Sequence, residues 1–178
     1  MYLLDDRIIF PPVTEADENG FLAVGGDLST ARLIAAYRNG IFPWYNEDEP
    51  ICWWSPNPRC VLFPGNLKVS KSMKKIIRDK TFRFTMNKDF ELVMRSCQQT
   101  KRASGNGTWI QDEMIAAYTA LHQLGYTHSA EAWQGDQLVG GLYGVRIGKI
   151  FFGESMFALE PDASKIAFAT LLANLNAW

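Results

Sequence analysis

Seven of the eight prolines lie at or before Pro64, and this uneven distribution constrains the fold more than any other feature of the sequence. Proline has a fixed φ angle and no backbone N–H, so it is disfavoured in helix interiors and in central strands. Residues 1–65 are therefore predicted to form a small, loop-rich N-terminal domain. One helix is expected within it, because Ser29 is a suitable N-cap, apolar residues follow at helical spacing and Gly40 can end the helix.

The remainder of the chain follows a mixed pattern of helix and strand periods. The pattern predicts a helix over residues 70–79, a strand at 82–86, a helix capped by Asn87, a further helix, three strands and a last helix after Asp162. The fold class is thus α+β, with residues 66–178 as a second domain. The three consecutive strands are placed at Tyr126–Trp133, Gln137–Arg146 and Lys149–Phe152. After residue 81 the predicted order is strand, helix, helix, three strands and helix, which is similar to the first part of a GNAT-type acyltransferase domain.

Composition excludes several classes of protein. The chain has 178 residues, of which 47% are apolar and 21% are charged, so it can bury a core. No run approaches the roughly 20 apolar residues of a transmembrane helix, and the N-terminus carries acids where a signal peptide carries basic residues. With three widely spaced cysteines, two histidines and no Cys-x-x-Cys pair, neither a disulfide framework nor a structural zinc site is expected. These features predict a cytoplasmic protein.

The net charge of −1 hides a very uneven distribution of charge. Residues 1–66 carry 4 basic and 9 acidic side chains, residues 67–108 carry 11 and 3, and residues 109–178 carry 3 and 7. Local charge, rather than the total, decides whether a surface attracts a polyanion. The middle of the chain is therefore the candidate for contact with nucleic acid.

Part of this basic block is a lysine stripe with helical spacing, formed by Lys71, Lys74, Lys75 and Arg78. Such a stripe can follow a phosphate backbone by charge alone, and by itself it carries no base specificity. The alternative interpretation is an ordinary solvated helix face. The density of further basic residues around the helix favours nucleic-acid binding.

Tryptophans form a second group of candidates, because several of them lie among prolines and glycines. Most of these rings are expected to fill the core of the N-terminal domain. At least one of them is expected to stack on an unpaired base, since aromatic rings beside a basic region suit single-stranded nucleic acid. The candidates are Trp44, Trp53, Trp54 and Trp109.

Glu154 is the candidate active-site carboxylate, since it lies among apolar and aromatic residues just past the predicted end of a strand. A carboxylate in such surroundings needs a cation or hydrogen-bond donors. We interpret it as an anion that receives a cationic substrate group; a structural hydrogen bond is the alternative. His128 is interpreted as a packed structural histidine, because strand alternation separates it from Ser129 and Glu131 and so argues against a catalytic triad.

Taken in order, segments along essentially the whole chain resemble leucyl/phenylalanyl-tRNA–protein transferases. Each segment is weakly specific by itself, whereas their order is highly specific. The segments are Gly25-Gly26-Asp27-Leu28-Ser29, Gly40-Ile41-Phe42-Pro43-Trp44, Trp53-Trp54-Ser55-Pro56, Gly107-Thr108-Trp109-Ile110, His128-Ser129-Ala130-Glu131-Ala132-Trp133, Leu138-Val139-Gly140-Gly141-Leu142-Tyr143-Gly144-Val145, Gly153-Glu154-Ser155-Met156-Phe157 and Ala163-Ser164-Lys165.

The resemblance implies a bacterial cytoplasmic enzyme of the N-degron pathway, with a small N-terminal domain and a GNAT-like domain. It would transfer Leu or Phe, and also Met, from aminoacyl-tRNA to proteins that begin with Arg or Lys. No metal or small cofactor is implied, and the complete protein would be a monomer. The tRNA's terminal adenosine would pack near Trp44 and Trp109, and the lysine stripe would contact the tRNA. The implied aminoacyl pocket consists of Leu142, Phe151, Gly153, Met156 and Phe168.

One departure from the family's pattern concerns the end of the chain. Family members continue past the last helix into a strand with an Asp-Cys-Gln motif, which is proposed to help deprotonate the attacking amine. This chain ends at Trp178 without that motif, so we expect a truncated GNAT-like domain with an incomplete active site. The alternatives are therefore a non-catalytic tRNA-binding module and, on the same fold, an acetyl-CoA-dependent N-acetyltransferase. The second is disfavoured because no Gly-x-Gly lies between Gly153 and Ser164.

Overall fold

The computed structural model describes residues 2–100 and 109–175, and the chain divides into two compact units. The first unit contains the residues up to Cys60 and a later segment that ends at Leu121. The second unit contains residues 61–100 and the chain from His122 onward. Both units mix helices with a four-stranded sheet, which confirms the predicted α+β class. None of the helices in the described ranges is long and apolar enough to cross a membrane.

The first unit is built on a small sheet with the strand order β1-β2-β4-β3. β1 is parallel to β2, and the other two pairings are antiparallel. The sequence predicted loops here and missed this sheet, whose strands are only two to five residues long. The elements of this unit are β1 (Tyr2–Leu4), β2 (Phe21–Gly25), α1 (Thr30–Arg38), β3 (Phe42–Pro43), β4 (Cys52–Trp54) and α4 (Asp112–Gln123), of which the residues up to Leu121 belong to this unit.

The predicted helix of the first unit is confirmed at both ends. The Ser29 hydroxyl accepts a hydrogen bond from the backbone N–H of Arg32 at 3.3 Å, and Gly40 follows the helix with a φ of 72°. The Arg32 guanidinium is fully buried and donates to the carbonyls of Asp5 and Arg7 at 2.7 and 3.1 Å. These bonds, together with an ion pair to Asp27 at 3.3 Å, offset the cost of removing this cation from water, while its Nε has no hydrogen-bond partner among the described residues.

The second unit is a fully antiparallel sheet with the strand order β5-β6-β7-β8. Helices cover both faces of it: α5 packs mainly over β6 and β7, and α3 packs over β6, β7 and β8. The elements of this unit are α2 (Lys71–Arg78), β5 (Arg83–Met86), α3 (Phe90–Gln99), β6 (Thr127–Gln134), β7 (Gln137–Ile147), β8 (Ile150–Ala158) and α5 (Ala163–Leu175).

Two adjacent glycines of β7 show why each helix can approach the sheet closely. A Cβ atom on Gly140 would lie 2.6 Å from the side chain of Ala163, at the start of α5. A Cβ atom on Gly141 would lie 2.8 Å from the carbonyl oxygen of Ala130 and would approach Val93 of α3. Successive strand residues point to opposite faces of the sheet. Gly140 therefore lets α5 approach one face closely, and Gly141 lets α3 approach the other. The glycine-rich stretch of β7 is therefore a place of close backbone approach.

Two details of the second unit differ from the prediction. β8 was expected to end at Phe152, but it continues to Ala158. Asn87 was expected to cap α3, whereas the N-cap is Asp89, whose carboxylate accepts the backbone N–H of Leu92 at 3.1 Å. Asn87 has a φ of 56° and its side-chain oxygen accepts the N–H of Ser129 at 3.0 Å, so it links β5 to β6 instead.

Candidate functional site

The face of the second sheet that α5 covers is apolar. Its centre is a cluster of buried residues from β6, β7 and α5, which includes Leu142 with 2% of its surface exposed. Phe151 of β8 and Phe168 of α5 are partly buried and pack against the same cluster. Three of the five residues predicted to form an aminoacyl pocket are therefore in one packed region.

The other two predicted pocket residues lie on β8, on the same face. Met156 pairs with Leu142, and Gly153 pairs with Gly144, so the strand register aligns both with the apolar cluster. Met156 is 48% exposed, and a Cβ atom built on Gly153 would have no heavy atom of residues 2–100 or 109–175 within 4 Å. This part of the face is open, because α5 packs mainly over β6 and β7. We call the surface around Gly153, bordered by Phe151 and Met156, the open apolar surface.

Gly144 faces Gly153 across the two strands and has quite different surroundings. A Cβ atom on Gly144 would lie 2.2 Å from the carbonyl oxygen of Phe152 and 2.5 Å from the ring of Phe151. Any side chain at this position would displace the Phe151 ring or the backbone of β8. The glycine therefore allows Phe151 to lie beside the open apolar surface.

Glu154 lies inside β8 at a β-bulge, not past the end of a strand as predicted. Tyr143 pairs with Ser155 and Gly144 pairs with Gly153, which leaves Glu154 as the additional residue on β8. A bulge bends its strand and changes the direction of a side chain, and bulges are frequent beside active sites. The half-buried Glu154 thus immediately follows the open position at Gly153.

His128 and its neighbours confirm that no catalytic triad forms here. His128 Nδ1 lies 3.1 Å from the side-chain nitrogen of Asn87, whereas the Ser129 hydroxyl donates to Glu131 at 2.6 Å. Burial lowers the pKa of His128, and the nearby His122 and Arg146 lower it further. This histidine is a half-buried group that favours its neutral form.

Sequence reasoning missed a role for Glu131, whose carboxylate is fully buried. It accepts the Ser129 hydroxyl at 2.6 Å, the backbone N–H groups of Lys88 and Asp89 at 3.1 and 3.4 Å, and the hydroxyl of Thr85. These donors come from β5, β6 and the start of α3, so the carboxylate ties the helix to the sheet. An acidic residue within the predicted strand was the available signal, but its partners other than Ser129 are more than 40 residues away along the chain.

The lysine stripe lies on an exposed face of α2. All four members are solvent-exposed, and the Ser70 hydroxyl caps the helix by accepting the N–H of Met73 at 3.2 Å. Arg78 forms an ion pair with the adjacent Asp79 at 3.0 Å. Within residues 2–100 and 109–175, no ion pair involves the three lysines. Their charges are directed to solvent.

The tryptophans of the first unit separate into core and surface rings. Trp53 is fully buried and donates its indole N–H to the Gly25 carbonyl at 2.8 Å, so it belongs to the core. Trp44 is 49% exposed, and Trp54 supports it with ring centroids 5.5 Å apart and an indole hydrogen bond to the Trp44 carbonyl at 2.7 Å. Trp109 is half-buried and lies just before α4. Trp44 is thus a fixed ring with an accessible surface.

The part of the chain that the structure describes contains no group of three or more His, Cys, Asp or Glu side chains that could hold a metal ion. The features that remain for chemistry are the open apolar surface, the carboxylate of Glu154, the lysine stripe and the ring of Trp44. Together these suit an apolar acyl group, a cationic group, a phosphate backbone and a base.

Comparison with known proteins identifies the family. The family model of the leucyl/phenylalanyl-tRNA protein transferase matches residues 61–178, and the model of its N-terminal domain matches residues 26–57. The chain is 54% identical to the leucyl/phenylalanyl-tRNA–protein transferase of Hydrogenovibrio crunogenus, over 99% of this chain and 70% of that protein. It is 56% identical to that of Flavobacterium johnsoniae, over 99% of this chain and 83% of that protein. The resemblance found in the sequence is thereby confirmed, and the chain belongs to the leucyl/phenylalanyl-tRNA protein transferases, a family of aminoacyltransferases.

Proposed function

We propose that this protein transfers Leu, Phe or Met from aminoacyl-tRNA to the N-terminal Arg or Lys of acceptor proteins. Membership of an aminoacyltransferase family supports the reaction type. The observation that carries the assignment of the site is the open apolar surface at Gly153, which lies directly before the half-buried carboxylate of Glu154. The proposal includes a cytoplasmic setting, a GNAT-like second domain and degradation of the modified proteins through the N-degron pathway.

The proposed reaction is aminolysis of an ester. The α-amine of the acceptor attacks the carbonyl carbon of the aminoacyl ester, and an amide bond forms as the bond to the terminal ribose oxygen breaks. The amine loses a proton, and the ribose hydroxyl of the released tRNA gains one. Because the ester is already a good acyl donor, holding the two substrates together supplies much of the acceleration.

The open apolar surface is proposed to select the transferred residue by burial of its side chain. Each buried CH₂ contributes about 0.8 kcal/mol, which favours Leu, Phe and Met over smaller side chains. A surface of this kind discriminates poorly between apolar groups of similar size. Phe151 and Met156 would border the acyl side chain, Leu142 would form its floor, and the absent side chain of Gly153 would leave room for it.

Glu154 is proposed to receive the cationic side chain of the acceptor. A carboxylate that is partly removed from water gains more from a nearby cation than one in bulk solvent does. Its position at the bulge, next to Gly153, would place the acceptor beside the acyl group. On the tRNA, the lysine stripe would contact phosphates, and Trp44 and Trp109 would pack on the terminal adenosine.

A transfer assay with leucyl-tRNA and two peptides that differ only at the first residue tests this proposal. We expect leucine to be transferred to the peptide that begins with Arg and not to the peptide that begins with Ala. Glu154→Gln, which removes the charge and keeps the size, should reduce transfer to the Arg peptide. Binding of tRNA without transfer would favour the non-catalytic tRNA-binding module, and incorporation of acetate from acetyl-CoA would favour the acetyltransferase.

A further inference from the structure

A hydrogen bond within the first unit connects the two segments that carry the candidate adenosine rings. Tyr45 directly follows Trp44, and its hydroxyl donates to the carboxylate of Glu113 in the first turn of α4. Glu113 in turn lies four residues after Trp109. The two residues of the bond are 68 positions apart along the chain, so only the tertiary fold brings them together.

The Trp44 end of this link is held firmly by the small sheet. The backbone N–H of Trp44 donates to the carbonyl of Cys52 at 2.9 Å, and the Trp44 carbonyl accepts the indole N–H of Trp54 at 2.7 Å. The side chain of Trp44 is exposed, whereas the next residue, Tyr45, is buried. The bond to Glu113 therefore starts from a fixed point beside an accessible ring.

The Tyr45 hydroxyl can donate this bond at any physiological pH. Burial raises the pKa of Tyr45, and the bond to Glu113 raises it further, because the carboxylate favours the protonated phenol. A hydrogen bond to a carboxylate is also stronger than one to a neutral acceptor. The contact is thus a permanent link, not a pH-dependent one.

The other end of the link lies close to Trp109 along the chain. The residue after Trp109, Ile110, is fully buried, and so is Met114 in the first turn of α4. Four residues span at most about 14 Å even when fully extended, so a shift of Glu113 is passed on to Trp109. The bond between Tyr45 and Glu113 therefore restricts how far apart the two tryptophans can move.

A second bond attaches the same helix at a greater distance from Trp109. The hydroxyls of Tyr37 in α1 and Tyr118 in α4 lie 2.5 Å apart, and both residues are buried. Tyr118 is five residues beyond Glu113, which is more than one helical turn. Neither Tyr37 nor Tyr118 is adjacent in sequence to a candidate ring, so this bond provides an internal comparison for the first one.

We propose that Tyr45 and Glu113 are positioning residues, which set the distance at which Trp44 and Trp109 both pack on the terminal adenosine of the tRNA. This inference rests on the proposed function, because it takes the two tryptophans as the adenosine site. The pair acts through the rings and does not itself contact the nucleotide. A site whose parts are already in place loses less freedom on binding, so breaking the bond lowers affinity without removing a contact to the ligand.

The test is a binding titration with adenosine that carries phenylalanine on its 3′ position through a stable amide. Tyr45→Phe and Glu113→Ala each break the bond and should weaken binding about three- to tenfold. Combining the two should weaken it no further, because both remove the same bond. Glu113→Gln should keep most of the affinity, since its amide oxygen can accept the hydroxyl. Tyr37→Phe, which removes a hydroxyl from the second bond, is the matched control and should leave the affinity unchanged.

The pattern of losses separates a positioning role from a merely structural one. The inference is overturned if Tyr45→Phe leaves the affinity unchanged, if Glu113→Gln loses as much as Glu113→Ala, or if the losses of the two single variants multiply in the double variant. An equal loss for Tyr37→Phe would also overturn it, because a general loosening of α4 would then explain the effect.

Two further variants separate this inference from the function on which it rests. Trp44→Ala and Trp109→Ala should each weaken binding of the same probe. If both do so while the variants of Tyr45 and Glu113 have no effect, the adenosine site stands and only the positioning role is wrong. If neither does so, or if the unaltered protein does not bind the probe, the proposed adenosine site is wrong and the inference fails with it.

Discussion

The two faces of the sheet in the second unit differ in how completely they are packed. On the α3 face, Tyr143 and Phe157 are buried, and the buried Glu131 carboxylate is surrounded by donors. On the α5 face, packing is dense over β6 and β7, whereas Gly153 and Met156 of β8 remain open. We therefore propose a division of tasks, in which the closed face stabilises the sheet and the open part of the other face binds the acyl group.

The largest expected effect is loss of stability at the closed face. Glu131→Ala would leave the buried hydroxyl of Ser129 and the N–H groups of Lys88 and Asp89 without their acceptor, and would empty space between α3 and the sheet. Each unsatisfied buried donor costs about 1–3 kcal/mol, so we expect a decrease of about 3–5 kcal/mol in the free energy of unfolding. Urea denaturation measures this decrease. Glu154→Gln is the control, and an equal loss for both variants would remove the distinction between the two faces.

The facing glycines Gly144 and Gly153 allow a matched comparison within one face. Gly144→Ala places a Cβ atom against the carbonyl of Phe152, so we expect a loss of about 1–3 kcal/mol in the free energy of unfolding. The Cβ atom of Gly153→Ala meets nothing within 4 Å in the part of the chain that the structure describes, and should change this free energy by less than about 0.5 kcal/mol. Equal destabilisation of the two variants would mean that the surface at Gly153 is closed.

The lysine stripe should affect tRNA affinity and leave stability unchanged. Replacing Lys71, Lys74 and Lys75 with Ala removes three exposed charges. Each lost phosphate contact reduces the slope of log affinity against log salt concentration by roughly 0.7–0.9, so the loss of three contacts should reduce the slope by about 2–3 in total. Titration of the protein with tRNA at several salt concentrations measures this slope. An unchanged slope would show that tRNA does not lie along α2.

The smallest expected effect is a change of preference between two transferred residues. Leu142→Trp fills space beneath the open apolar surface and should reduce transfer of Phe more than transfer of Leu. We expect the ratio of the two rates to change by about three- to tenfold, which competition between the two charged tRNAs measures. Equal reductions would show that Leu142 does not form the floor of the acyl site.

The sequence was sufficient to predict a helix where the local signals within one segment agree. Ser29 with Gly40 defined α1 closely, and the helical charge pattern defined α2, because a cap and a periodic face are properties of a short segment. The resemblance to the family, spread over many motifs, is confirmed by the family matches. The helical period also places Val93 and Cys97 on one face of α3, and both are fully buried.

The features that were missed depend on contacts between distant segments. The strands of the small sheet are too short to show alternation, and β3 even contains Pro43, which is tolerated at its edge position. β8 was predicted too short because the bulge at Glu154 interrupts its alternating pattern. Asn87 and Asp89 are both good cap residues, and only the bond from Ser129 to Asn87 decides between them. The environment of Glu131 likewise requires the tertiary fold.

The central claim is that the open apolar surface at Gly153 holds the acyl group during transfer. The most direct test is the rate of leucine transfer from leucyl-tRNA to a peptide that begins with Arg, compared between the unaltered protein and Gly153→Leu. The new side chain has space in the fold, so the variant should keep its stability and its affinity for uncharged tRNA. We predict that it fills the acyl site and lowers the transfer rate at least about tenfold. Transfer by the variant at the unaltered rate would contradict the account.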